Sequence, residues 1–172
     1  MGMGIPGSGK TTVLKKFARD YNYSYVCPDD IRLELTGDSK NQSKNKEVWE
    51  EAYSRLKKYL KDGSTVVFDA TFADPRVREA CIKIAREHGA NRIYGIKIDV
   101  PIEIAKDRNS KRERVVPEHV LDRMHKNLSS SPPEINEGFD SIFMLNEYHQ
   151  LLKAESKNKQ EILKREFKVR PR

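Results

Sequence analysis

The sequence predicts an α/β fold, a parallel β-sheet flanked by helices on both faces, and three observations carry that expectation. Residues 4–11, Gly-Ile-Pro-Gly-Ser-Gly-Lys-Thr, satisfy the pattern GxxxxGK[ST] and run directly into a helix-like stretch. Strand-like and helix-like segments then alternate along the chain, which calls for crossover connections between parallel strands. Residues 65–68, Thr-Val-Val-Phe, form a short apolar run of the kind found in strands covered on both faces.

At 172 residues the chain fits one domain, and 37% hydrophobic content supplies one buried core. Residues 10–20 read as a helix and 21–27 as a short aromatic strand ending at Pro28. Asp29 or Asp30 can cap a short helix through Leu35, and 36–45 is a polar loop with Gly37, Lys40 and Lys44. Residues 46–61 place Trp49, Ala52, Tyr53, Leu56 and Leu60 at helical spacing before Asp62-Gly63 stops them. After the 65–68 strand come a helix at 75–88, a strand at 92–99, helices at 103–112 and 118–128, and a last strand at 139–145. The expected division is a domain at 1–150, with a lid at 108–128, and a basic helical tail at 151–172. From Lys153 onward eight positive residues face three negative ones, a large share of the net charge of +7.

Only Met1-Gly2-Met3 precede the glycine motif, so the first strand is expected to be truncated, through a late start or a trimmed fold. No apolar run nears the roughly 20 residues of a membrane span, and no signal region opens the chain, which predicts a cytoplasmic protein. Cys27 and Cys81 lack ligand or disulfide spacing, and the four histidines lack metal spacing.

The chemistry expected of the glycine motif is phosphate binding. Gly4, Gly7 and Gly9 let backbone N–H groups turn inward, with Ser8 and Thr12 beside them, and the following helix adds its positive end. Lys10 supplies a point charge for the β and γ oxygens of ATP, and the Thr11 hydroxyl can sit on Mg²⁺. Asp29 lies past the second strand, where a carboxylate can take the proton of an attacking hydroxyl, and Arg32 one turn on can hold an acceptor phosphate. Asp69 ends the 65–68 strand in the position of a carboxylate near Mg²⁺, with metal or acceptor duty both open. Arg108 and Arg112, four apart, are expected on one helical face as a lid over the nucleotide.

Together GIPGSGKTT, the DDIR of 29–32, VVFDAT ending at Thr71, DVP at 99–101, RNSKR at 108–112 and VPEHVLDRM at 116–124 resemble the kinase domain of phage-type polynucleotide 5′-hydroxyl kinases and their bacterial RNA-repair relatives. The resemblance spans Gly4 to Leu145. It implies a P-loop kinase fold, ATP and Mg²⁺, and a 5′-OH polynucleotide acceptor, and no obligate protein partner is evident from the sequence. It also implies Asp29 as general base, Arg32 on the acceptor phosphate, Asp69 as an active-site acid, Arg108 and Arg112 as lid arginines, and Val116 as an apolar contact to the acceptor base. Pro28 stands where the phage enzymes tend to carry an Arg, and no DxDxT phosphatase motif is present. A small-metabolite kinase of gluconate-kinase-like or zeta-toxin-like kind remains the alternative, and an ATP-binding module without an acceptor the third reading.

Overall fold

The computed structural model describes residues 1–156. Its elements run β1 (Gly2–Met3), α1 (Lys10–Asp20), β2 (Ser24–Val26), α2 (Pro28–Thr36), α3 (Asn45–Lys61), β3 (Val66–Phe68), α4 (Pro75–Glu87), β4 (Tyr94–Ile98), α5 (Ile102–Ser110), α6 (Glu118–Ser130), a 3₁₀ turn (Ile135–Glu137), β5 (Ser141–Leu145) and β6 (Leu151–Ser156). β2 and β3 pair in parallel, and β1, β4 and β5 form a second parallel set. A single parallel bridge between Gly2 and Asp69 joins them, giving the order β2-β3-β1-β4-β5-β6.

β6 corrects the expectation of a helical tail beginning at residue 151. Leu151–Ser156 pairs antiparallel with β5, with Ser156 opposite Ser141 and their hydroxyls 3.0 Å apart. Its first residues, Leu151 to Lys153, are exposed, as suits an edge strand carrying charge. The rest of the expected tail, 157–172, lies outside the described residues.

β1, the strand expected to be short, has two residues. Met3 is fully buried, and the Met1 ammonium donates to the Tyr94 carbonyl at 2.7 Å. Upstream of β1 a cavity of about 920 Å³ opens between β3 and β4, walled by Val66, Val67, Phe68, Tyr94, Ile96 and Phe143. Met1 of the chain start also lines it, with Leu14 and Phe17 of α1.

Apolar side chains from both strand sets meet in one core. Val26 and Phe68 pack there with Met3, Phe139 and Ile142, under Val48, Ala52 and Leu56 of α3 and Cys81, Ile82 and Ala85 of α4. Trp49 of α3 stacks on Phe68 with ring centroids 6.2 Å apart. A smaller cluster of Ile5, Ile98, Val100, Ala105, Leu121 and Leu128 holds α5 and α6 against the phosphate loop. Among the described residues no helix is long and apolar enough to cross a membrane.

Among the described residues Arg78 is the largest fully buried side chain. It bonds both carboxylate oxygens of Glu137, at 2.6 and 2.7 Å, and the carbonyls of Phe72 and Ser131 at 3.0 and 3.1 Å. One guanidinium thereby ties α4 to the strand-end loop before it and to the segment after α6.

Candidate active site

The phosphate loop turns because two glycines tolerate what other residues do not. Gly7 has φ +85, and a Cβ there would stand 2.2 Å from the Ala105 carbonyl of α5, so only a bare backbone fits. Gly9, at φ +87, is the N-cap of α1, whose first N–H groups point back into the loop. Residues 4–12 with Asp29, Thr71, Arg108 and Arg112 enclose a cleft of about 270 Å³. The expected loop residues therefore share one cleft with the expected base and both lid arginines.

Lys10 is turned onto Asp69 rather than held out into the cleft. Its Nζ pairs with Asp69 Oδ1, while the Tyr25 hydroxyl donates to Oδ2 at 2.5 Å. The Asp69 side chain is fully buried behind the loop. Burial, then the Asp69 charge, push the Tyr25 phenol far up, so it stays a proton donor. Both Asp69 oxygens are thus engaged in this structure, one by Lys10 and one by Tyr25. Thr11, exposed at the mouth of the cleft, presents a hydroxyl of the hard-oxygen type that fits Mg²⁺ beside phosphate oxygens. Among the described residues no group of three or more His, Cys, Asp or Glu could hold a metal by itself.

Asp29 and Asp30 separate into different environments. α2 begins at Pro28, in the first-turn position that suits proline, with Cys27 as N-cap, so neither aspartate caps it. Asp30 instead pairs with Lys15 of α1 at 2.8 Å. Asp29 faces the cleft, and its Oδ1 accepts from Arg32 and, at 2.9 Å, from Arg114. Burial pushes its carboxyl up, but the Arg114 and Arg32 guanidiniums outweigh that and hold it below the ordinary carboxylate value. It is therefore ionised at neutral pH.

The lid differs from its expected geometry. α5 ends at Ser110, so Arg108 lies on the helix and Arg112 in the bend beyond it, yet both reach the cleft. Asn109 is buried and clasps Val116, accepting from its N–H at 3.1 Å and donating to its carbonyl at 2.8 Å, which sets the 111–117 segment. Val116 packs partly against the α5/α6 cluster, whereas Val115 is 54% exposed.

Sequence reasoning missed three residues here. Tyr25 was visible only as part of an aromatic strand, and Arg114 falls outside the four-residue spacing that picked Arg108 and Arg112. His149, in the turn between β5 and β6 at φ +63, lies over the loop, its Nε2 2.9 Å from where a Cβ on Gly9 would stand. That nitrogen is buried without a hydrogen-bond partner among the described residues. Burial and the nearby Arg108 charge lower the imidazole pKa, which keeps the ring neutral.

A phosphate loop capping a helix at the carboxyl ends of parallel strands, with a lysine, a cleft carboxylate and lid arginines around it, defines a P-loop protein of the kinase type. Residues 1–131 match the family AAA_33, described as an AAA domain, and the chain belongs to it. It is 28% identical over 129 residues to a cytidylate kinase of Methanocaldococcus jannaschii, covering 70% of this chain and 67% of that one. A chain of the Pnkp1/Rnl/Hen1 RNA repair complex superposes with a TM-score of 0.68 at 25% identity over 75% of this chain. This protein spans 43% of that chain's length. A gluconokinase from Sinorhizobium meliloti shares the fold at 15% identity and TM-score 0.53, with 84% of this chain and 79% of that one covered.

Proposed function

We propose that this protein transfers the γ-phosphoryl group of ATP, with Mg²⁺, to a hydroxyl, and that the acceptor is the 5′-OH of a polynucleotide. The observation that carries the reading is Asp29, an ionised carboxylate facing the same cleft as the phosphate loop and lid arginines. A nucleotide-binding module has no use for a base at that place.

The residues divide the work. When ATP binds, Lys10 leaves Asp69 for the β and γ oxygens, and the loop N–H groups cradle the phosphates. Mg²⁺ at Thr11 would neutralise charge between the β and γ oxygens. Asp29 takes the acceptor proton as the new O–P bond forms and the bond from γ-phosphorus to the bridging oxygen breaks, releasing ADP. Arg108 and Arg112 balance charge on the phosphoryl group in flight. Arg32 holds the acceptor phosphate, and Val116 offers an apolar contact to its base.

Likeness to a chain of an RNA repair complex supports the polynucleotide acceptor. The gluconokinase likeness, which covers most of both chains, supports a small-metabolite acceptor as the second reading. Labelled ATP with 5′-OH oligonucleotides of rising length, beside gluconate and cytidylate, separates them. A polynucleotide kinase gains affinity with length and loses it with salt, at a log–log slope of about −0.7 per phosphate contact on a single strand. Transfer to gluconate or cytidylate alone, with no effect of oligonucleotide length or salt, rejects the polynucleotide acceptor.

A further inference from the structure

β6 ends the sheet on one side, and its outer backbone edge has no strand beside it among the described residues. Such an edge is a template for a further strand unless shape or charge blocks it. The one irregularity in β6, a bulge opposite Leu145, lies at its first residues, where Leu151 and Leu152 are 50% and 59% exposed. Residues 153–156 pair regularly with residues 141–144, so this stretch presents an unbroken edge. Lysine is a common guard of edge strands, but here Lys153 is neutralised by Glu155 on the same face, with Nζ 2.5 Å from Oε1. The edge therefore carries both signs and no net charge.

The order of those charges selects a partner. When two identical strands pair antiparallel about a two-fold axis, each residue meets the one equally far beyond the axis. An axis at Lys153 or at Glu155 sets a charge against its own copy, and like charges directly opposite are unfavourable. An axis at Ala154 sets Lys153 against the partner's Glu155 and Glu155 against the partner's Lys153, so four charges alternate in sign around it. Leu152 then lies on the diagonal to the partner's Ala154 and covers apolar surface that the single chain exposes.

We propose that β6 is a self-association edge, at which two copies of this protein pair antiparallel through residues 152–156 with the two-fold axis at Ala154. One sheet then runs through both copies. The carboxyl end of β5, where the cleft lies, is beside Leu151, and strand direction reverses across the axis. The two clefts consequently open at opposite ends and both stay accessible. About five residues a side bury less than a stable interface does, so the pairing is weak and governed by concentration.

Sedimentation velocity of the full chain from about 5 to about 500 µM tests this. The samples are wild type, Lys153→Glu, Glu155→Lys, an equimolar mixture of those two variants, and the double exchange. Wild type should move from the 19.9 kDa monomer towards twice that mass as concentration rises. Each single exchange places two like-charged pairs beside the axis and should weaken dimerisation about tenfold or more, with melting temperature held. The mixture should recover it, because both charged pairs of the heterodimer join opposite signs, and the double exchange should recover it for the same reason. A monomer at every concentration, as when another segment of the chain covers this edge, overturns the proposal. Self-association indifferent to both single exchanges overturns it too, as does a mixture of folded variants that stays monomeric.

Discussion

Lys10 and Asp69 form an ion pair behind the phosphate loop, with the Tyr25 hydroxyl closing the other carboxylate oxygen. The charge a nucleotide needs is thus stored on a buried partner. Lys10→Ala should abolish phosphoryl transfer, weaken ATP binding, and lower stability by about 3–5 kcal/mol, because Asp69 is left charged and unpaired. Adding Asp69→Asn should return most of the lost stability and none of the transfer. Urea melts and single-turnover assays on the two variants check both halves of that cycle.

Asp29 has its carboxyl below the ordinary value because two guanidiniums stabilise its charged form. A depressed carboxylate contributes stability that is present above its unfolded value of about 3.9 and is lost as pH falls through the lower folded one. In catalysis the same sign keeps kcat/KM flat from neutrality down to about pH 5, with its acid limb below that. Asp29→Asn should cost about 10²-fold or more in transfer with ATP binding retained. An acid limb centred near pH 7 that survives Asp29→Asn would assign the proton to another group.

The slot between β3 and β4 predicts a stabilising extension. A short apolar β-branched segment fused ahead of Met1 should enter it, pair with both strands and raise the melting temperature. In a chain beginning at Met1, burial lowers the ammonium pKa from 8.0 to about 6. Its stability is therefore full above pH 8 and declines as pH falls towards 6, by at most about 3 kcal/mol. The extended chain has no ammonium there and should lose that slope, which melts at pH 6, 7 and 8 would show.

Arg78 should be the costliest arginine to replace outside the cleft. Arg78→Met strands the Glu137 carboxylate and two carbonyls in the interior, at a cost of about 3–5 kcal/mol. Glu137→Gln keeps a hydrogen-bonding partner and should cost clearly less. A urea midpoint equal to wild type for Arg78→Met would show that the ties between α4 and its neighbours are dispensable.

The parts legible in the sequence were those whose meaning is local. Gly4 to Thr11 form a loop by their own backbone requirements, and Lys10, Thr11, Asp29, Arg108 and Arg112 follow from spacing relative to that loop and the strands. Arg78 looked like any arginine on an amphipathic helix, because Ser131 and Glu137 reach it from more than fifty residues away. His149 and Arg114 reach the site through turns whose paths no periodicity encodes. β6 was hidden because an edge strand with exposed Leu151, Leu152 and Lys153 carries no clean alternation and sits at the head of a basic run. The separation of Asp30 from Asp29 comes from the helix start at Pro28, which turns one to Lys15 and the other to the cleft.

Trp49 is the single tryptophan of the chain, and its stacking on Phe68 makes it a built-in optical gauge of the β2-β3 half. Among the described residues, backbone pairing connects that half to the β4-β5 half around one bridge, at Gly2 and Asp69, with Ala70 N–H donating to the Gly2 carbonyl and Gly4 N–H to the Thr71 carbonyl. Hydrogen bonds alone would let the two halves melt apart. Phe68 and Val26 nevertheless share one apolar core with Phe139 and Ile142, so indole emission and far-ultraviolet circular dichroism should trace superimposable transitions on heating.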